Sequence, residues 1–158
     1  MGIESVLGDS LSWGTATTIL SERDATDIFS ILASEDTKLE ELSNTFLDAG
    51  ITQYTNGDYE EAARSFEAAI AIYPDSDSNA DTVKYLAQTY IELDEVDKAI
   101  STYENAISKD PTNDEFRTAL AQLYYSEERY DEAVTQYRKA VEIDNSSENR
   151  YSYGEALL

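Results

Sequence analysis

The stretch TNGDYEEAARSFEAAIAIYP, residues 55–74, places four apolar residues on one stripe of a predicted helix and ends in proline. The same pattern returns as DEVDKAISTYENAISKDPTN from Asp94 and as ERYDEAVTQYRKAVEIDNSS from Glu128. Ala99 and Ala133 lie 34 residues apart, whereas Ala62 and Ala99 lie 37 apart. A period of this length is typical of a solenoid built from repeated helical units.

Small and aromatic residues recur at fixed positions in the three copies. Their spacings of four and three residues put them on one helix face, where the alanines allow close approach and the aromatic ring fills the gap. They are Ala62, Phe66 and Ala69, then Ala99, Tyr103 and Ala106, then Ala133, Tyr137 and Ala140. A second amphipathic segment precedes each copy, at residues 42–55, 80–93 and 114–127. We therefore predict paired helices in every repeat, with helix starts at two capping boxes, Thr37 with Glu40 and Thr112 with Glu115.

Composition excludes several kinds of chemistry. The 158-residue chain has no cysteine and no histidine, so catalytic triads and zinc sites with these ligands are impossible. It also has no phosphate-binding glycine loop. Its 33 acidic and 11 basic residues give a net charge of −22, which opposes nucleic acid binding. We predict no enzymatic activity, no cofactor and no bound metal; the calcium-like spacing DSDSNAD at 75–81 lacks the required glycine and glutamate.

The repeated positions resemble those of the tetratricopeptide repeat family. The first copy carries the most complete set of signature residues, namely Phe46, Ala49, Gly50, Tyr54, Gly57, Tyr59, Ala62, Phe66, Ala69 and Pro74. The second and third copies have Asp94 and Glu128 where the turn glycine is usual. The resemblance implies an all-α, right-handed solenoid with repeats at 43–76, 77–113 and 114–147.

Three further segments flank the repeats. Residues 21–42 are predicted to hold an N-terminal helix, about Glu22 to Ala33, and the start of the first repeat helix. Residues 148–158 are interpreted as a capping or partial helix. For residues 1–20 two alternatives stay open: disorder, or an ordered segment anchored by Trp13.

The resemblance also implies a function, because first helices of successive family repeats line a concave groove that holds a peptide or helical segment. Carried onto this chain, the groove positions are Leu47, Ile51, Tyr54, Lys84, Gln88, Ile91, Thr118, Gln122 and Tyr125. Lys84 is the only cation among them, so the lysine and asparagine cluster of chaperone-tail-binding members is missing. We expect a non-catalytic, cytoplasmic scaffold or adaptor with a basic or apolar protein partner and no membrane insertion.

Alternatives remain for the biological role. The layout is similar to that of type III secretion chaperones of the translocator-binding class, which combine an N-terminal helix with three such repeats. The chain is also interpretable as an accessory repeat domain of a larger enzyme or signalling protein. Self-association through a solenoid end is a third possibility.

Overall fold

The computed structural model describes residues 22–74 and 79–157, with side chains described from residue 34 onward. The described residues form helices and connecting turns and contain no strand, which confirms the all-α prediction. The helices are α1 Glu22–Asn56, α2 Tyr59–Ile72, α3 Asn79–Glu92, α4 Val96–Lys109, α5 Asp114–Ser126, α6 Tyr130–Ile143 and α7 Ser147–Ala156.

The chain divides into two compact units, Met1–Glu41 and Leu42–Leu158. In the first unit, residues 34–41 of α1 are exposed except for half-buried Glu40, and Lys38 pairs with Glu35 at 2.8 Å. The second unit holds the repeats, and everything below concerns it. Predictions for residues 1–20, including Trp13, and for Asp75 and Asp77 lie outside the described residues.

Consecutive helices pair in the predicted order. Residues 42–56 of α1 contact α2; α3 pairs with α4 and α5 with α6, and α7 then packs on α6. In the first pair the Ser43 hydroxyl donates to the Ala69 carbonyl at 2.9 Å, and the Ser65 hydroxyl donates to Gln53 Oε1 at 2.6 Å. The described residues 42–157 are thus a stack of helical hairpins, the solenoid expected from the period.

The repeated small and aromatic positions form the core. Ala62, Ala99 and Ala133 are fully buried, and so is Phe66. At the positions equivalent to Phe66, Tyr103 and Tyr137 are buried as well. Close packing at these alanines lets neighbouring helices approach, as their spacing predicted.

Gly50 and Phe66 make the tightest contact between α1 and α2. A Cβ atom added to Gly50 would lie 2.5 Å from Phe66 Cε1 and 2.7 Å from Phe66 Cδ1. A side chain at position 50 would clash with the Phe66 ring at that separation. Close packing of the two helices therefore explains why this signature position is glycine.

The turns inside the three hairpins share one backbone geometry. Gly57, Asp94 and Glu128 adopt φ values of 84°, 62° and 59°. The residue that follows each of them donates its backbone N–H to a carbonyl of the preceding first helix. For example, the Glu95 N–H donates to the Tyr90 carbonyl at 2.8 Å. The missing turn glycines of repeats two and three therefore leave the turn conformation unchanged, although a residue with a Cβ is strained at positive φ.

One polar contact repeats at both junctions between repeats. The Tyr90 hydroxyl of α3 donates to Glu67 of α2, and the Tyr124 hydroxyl of α5 donates to Glu104 of α4 at 3.0 Å. We call these contacts the tyrosine–carboxylate pairs. Burial and the partner carboxylate both raise the pKa of Tyr90 and of Tyr124, so the hydroxyls stay protonated donors well above neutral pH.

Two helix starts were predicted wrongly. The structure has one continuous helix from Glu22 to Asn56, so no helix ends near Ala33 and the Thr37–Glu40 box lies inside a helix. Residues 33–40, where the break was predicted, contain neither glycine nor proline to stop the helix. At α5 the cap is Asn113, whose side chain accepts from the Phe116 N–H at 3.1 Å.

Thr112 instead donates its own N–H and hydroxyl to Asp110 at 3.0 and 2.7 Å. The predicted C-terminal helix is present as α7, and the Ser146 side chain caps it by accepting from the Asn149 N–H. Within the described ranges, no helix is both long enough and apolar enough to cross a membrane.

Candidate functional site

All nine predicted groove residues lie on the first helix of a repeat. Leu47, Ile51 and Tyr54 share one stripe of α1, and Lys84, Gln88 and Ile91 share one stripe of α3. Thr118, Gln122 and Tyr125 share one stripe of α5. We call the surface formed by α3, α5 and residues 42–56 of α1 the first-helix face.

Side-chain contacts connect the three first helices, and α7 after them, in a row. The Tyr54 ring of α1 meets the Tyr85 ring of α3 edge-on, with 6.3 Å between centroids. Lys84 Nζ of α3 lies 2.6 Å from Glu115 Oε2 of α5. The Thr118 hydroxyl of α5 donates to Asn149 Oδ1 of α7 at 3.2 Å. One predicted residue of each first helix, namely Tyr54, Lys84 and Thr118, takes part in these contacts.

The apolar members of this surface are only partly available to a partner. Leu47, Ile51, Tyr54 and Ile91 are half-buried and pack against the core. Tyr125 is 47% exposed and stands edge-on to Tyr130, with ring centroids 5.2 Å apart. Each half-buried side chain packs on the core and keeps an exposed part, which suits a preformed binding surface.

An aromatic cluster stands at the junction of the first two repeats. Tyr54 contacts Tyr59 at 5.4 Å as well as Tyr85, and the Tyr85 ring stacks on Phe66 at 5.6 Å. Burial raises the pKa of the Tyr54 hydroxyl, and the neighbouring Glu92 carboxylate raises it further. Tyr54 thus packs on Tyr59, just after the Gly57 turn, and also belongs to the first-helix face.

Sequence reasoning did not assign Tyr85 and Glu92 to the site. Tyr85 follows Lys84 directly and Glu92 follows Ile91, so each stands one position after a predicted groove residue. Adjacent helical positions point about 100° apart, which made both residues look peripheral. In the structure, their contacts with Tyr54 bring both to the first-helix face.

The Lys84 ammonium is already paired. It lies 2.6 Å from Glu115 and 3.7 Å from Asp81, and the hydrogen bond to Glu115 raises the pKa of Lys84. Arg117, the other basic residue of α3 and α5, donates to the Pro111 carbonyl at 3.0 Å and to Gln136 Oε1 at 3.5 Å. Both positive charges of these two helices are therefore occupied within the chain.

The third repeat is bordered by α7 through Asn149. This buried amide donates to Asp114 Oδ2 and to the Asp144 carbonyl, each at 2.9 Å, and accepts from Thr118. Thr118 is thus engaged by α7, whereas Gln122 and Tyr125 remain exposed. At this end of the row, Gln122 and Tyr125 offer a partner more surface than Thr118 does.

A cavity of about 710 Å³ lies between the first two repeats. Its walls come mainly from α2, α3 and α4, with Ile70, Val83, Ser101 and Asn105 among the lining residues. None of the nine predicted residues lines it. We call it the second-helix cavity, and it is a competing location for a bound segment.

Comparison with known proteins agrees with this architecture. A tetratricopeptide repeat family model matches residues 53–104 and 96–158. The photosystem I assembly protein Ycf3 of Synechococcus sp. (strain CC9605) is 32% identical over 62 residues, 39% of this chain and 36% of that protein. The chain therefore spans just over a third of the length of this curated relative.

Solved structures show the same fold at low sequence identity. The first repeat domain of Spaghetti (RPAP3), bound to the HSP90 peptide SRMEEVD, superposes with a TM-score of 0.60 at 16% identity, covering 75% of this chain and 92% of that one. The Yersinia enterocolitica type III secretion chaperone SycD, in complex with a peptide of the translocator YopD, gives 0.59 at 16% identity, covering 72% and 91%. Since the family match covers well over half of the sequence and the helices pair as the repeats require, this chain belongs to the tetratricopeptide repeat family.

Proposed function

We propose that this chain is a non-catalytic scaffold that binds a segment of a partner protein along its first-helix face. The observation that carries the proposal is a row of apolar side chains on successive first helices. Leu47, Ile51, Tyr54 and Ile91 are half-buried, and the exposed ring of Tyr125 ends the row. Such a row offers an extended or helical segment several apolar contacts at repeat spacing.

Rigidity favours this use of the surface. The side chains are fixed by the core beneath them, so a partner would order few rotamers on binding. Tyr54 is the strongest candidate anchor, because its ring is held by Tyr59 and Tyr85 while its hydroxyl stays at the surface beside Glu92. Tyrosines in such settings often carry a large share of binding energy.

The charge of the surface argues against an acidic partner segment. RPAP3 was solved with the peptide SRMEEVD, which carries three acidic side chains. In this chain Lys84 is paired with Glu115 and Asp81. To bind an acidic side chain of the partner, Lys84 would have to give up its ion pairs with these two carboxylates. We therefore expect the partner segment to be apolar or basic.

The named relatives suggest two settings for this activity. One group is named for photosystem I assembly, and the type III secretion chaperone SycD was solved with a peptide of the translocator YopD. Holding a segment of another protein would serve an assembly factor, a chaperone or an adaptor equally. A cytoplasmic location and self-association through a solenoid end stay predictions from the sequence.

The test begins with a displayed library of random 14-residue peptides selected on the folded protein. Recovered peptides are then titrated into the ¹⁵N-labelled protein, and amide shifts are mapped by NMR. We expect the shifts to concentrate on α3, α5 and residues 42–56. Tyr54→Ala should weaken binding about 30-fold, equivalent to about 2 kcal/mol, whereas Lys84→Ala should change it little.

Ser101→Arg is the matched control, because Ser101 is exposed and lines the second-helix cavity. Peptide binding should tolerate this change. Shifts centred on α2 and α4 and absent from residues 42–56, together with loss of binding in Ser101→Arg and full binding in Tyr54→Ala, would move the site to the second-helix cavity. Thermal melts of each variant separate loss of the site from loss of the fold.

A further inference from the structure

In the part of the repeats that the structure describes, a tyrosine hydroxyl has a carboxylate next to it at three places. Two of them are the tyrosine–carboxylate pairs already described, Tyr90 with Glu67 and Tyr124 with Glu104. The third is Tyr54, whose hydroxyl is next to Glu92 on the first-helix face. The three places differ in what covers the tyrosine ring.

In both tyrosine–carboxylate pairs a cation of the same chain lies over the ring. Lys98 Nζ is 5.2 Å from the centroid of Tyr90, and the Arg129 guanidinium is 4.4 Å from the centroid of Tyr124. Each cation also pairs with a carboxylate of its own turn or helix, Lys98 with Glu95 at 2.7 Å and Arg129 with Glu132 at 3.0 Å. A tyrosine ring face next to a carboxylate therefore holds a lysine or arginine side chain twice in this chain.

At Tyr54 no cation of the described residues takes this place. The Tyr54 ring meets the rings of Tyr59 and Tyr85, and no lysine or arginine of the described residues lies over it. The neighbouring Tyr85 is 36% exposed. Glu92 accepts from the Gln88 amide at 3.1 Å and belongs to none of the ion pairs of the described region. Lys84 and Arg117 are engaged elsewhere.

We propose that Glu92, Tyr54 and Tyr85 form a subsite for a lysine or arginine side chain of the bound segment. The partner is then a cationic segment that also carries an apolar anchor for the neighbouring Ile51 and Ile91. This inference rests on the proposed function, because it assigns the chemistry of a partner bound at the same face.

The experiment repeats the random-peptide selection on three proteins: the unaltered chain, Glu92→Gln and Glu142→Gln. Glu142 is an exposed residue of α6, the second helix of the third repeat. Its substitution therefore removes one negative charge from a helix outside the first-helix face. Both variants have the same net charge, and any difference between them reports position and not overall attraction of basic peptides to an acidic protein.

We expect lysine and arginine to be enriched at a fixed spacing from an apolar residue in peptides selected on the unaltered chain and on Glu142→Gln. On Glu92→Gln the enrichment should be lost, and peptides from the first selection should bind about fivefold more weakly. Raising the salt concentration should weaken binding to the unaltered chain more than to Glu92→Gln.

Equal enrichment on all three proteins would overturn the subsite, because it would show general charge attraction. Peptides that shift first-helix amides without any enrichment of basic residues would also overturn it, while leaving the proposed function standing. Peptides that leave the first-helix amides unshifted would overturn both proposals. NMR mapping therefore distinguishes failure of the subsite from failure of the binding face.

Discussion

The contact between Gly50 and Phe66 leads to a prediction in which the sign of one substitution depends on the other. Phe66→Ala removes a fully buried ring that stacks on Tyr85, and the cavity left between α1 and α2 should cost about 3–5 kcal/mol of unfolding free energy. Gly50→Ala places a methyl group 2.5 Å from that ring. The ring must then move, at a cost of about 1–3 kcal/mol.

Replacing a helical glycine by alanine also gains about 1 kcal/mol of intrinsic helix propensity. In the unaltered chain the clash offsets or exceeds this gain, so Gly50→Ala should destabilise the protein by up to about 2 kcal/mol. In Phe66→Ala the ring is gone and the methyl group has room. There the same substitution should stabilise by about 1 kcal/mol, giving a coupling of about 1–3 kcal/mol between the two sites.

Urea unfolding of the four proteins, followed by circular dichroism, measures this double-mutant cycle. Gly154→Ala is the matched control, because Gly154 is an exposed helical glycine with no atom within 4 Å of an added Cβ. It should be mildly stabilising in both backgrounds. If Gly50→Ala is as destabilising in Phe66→Ala as in the unaltered chain, the ring does not cause the requirement for glycine.

Three more predictions follow from contacts of the second unit. Asp94→Gly and Glu128→Gly should each stabilise by about 1 kcal/mol, because glycine adopts their positive φ without strain; thermal melts showing a loss would contradict this. Asn149→Ala should cost about 1–3 kcal/mol and speed hydrogen exchange in α7, whereas exposed Asn145→Ala should do neither. Because folding raises the pKa of Tyr90 above its usual value, its contribution to stability is complete below pH about 10 and declines as the pH rises from there towards the folded-state pKa. Urea midpoints should therefore fall from pH 9 to 11.5; a flat profile would refute this.

Much of the fold was predictable because burial follows a local period. Ala62, Ala99 and Ala133 recur with apolar neighbours at helical spacing, and each proved fully buried. The repeated unit then requires one packing solution three times, so a single well-matched copy informs the other two. The same reasoning placed all nine groove candidates on first helices.

Local signals failed where distant contacts or helix continuity decided the outcome. Thr37 with Glu40 has the spacing of a helix start, yet the chain on both sides is helical and the box is bypassed. The pairing of Lys84 with Glu115 joins residues 31 positions apart, and its geometry depends on how two repeats are rotated against each other. The second-helix cavity likewise depends on the space left between α2 and α4, which no single repeat encodes.

The tyrosine–carboxylate pairs have a consequence for how the repeats cooperate. Glu67 and Glu104 each join a second helix to the next repeat. The equivalent position of α6 is Arg138, which cannot accept from a tyrosine hydroxyl. The junction with α7 is instead made through Asn149. In a linear array each junction supplies its own nearest-neighbour coupling free energy. The α6–α7 junction should therefore open independently of the two inner ones, so that unfolding starts as fraying at the C-terminal end while the earlier repeats stay assembled.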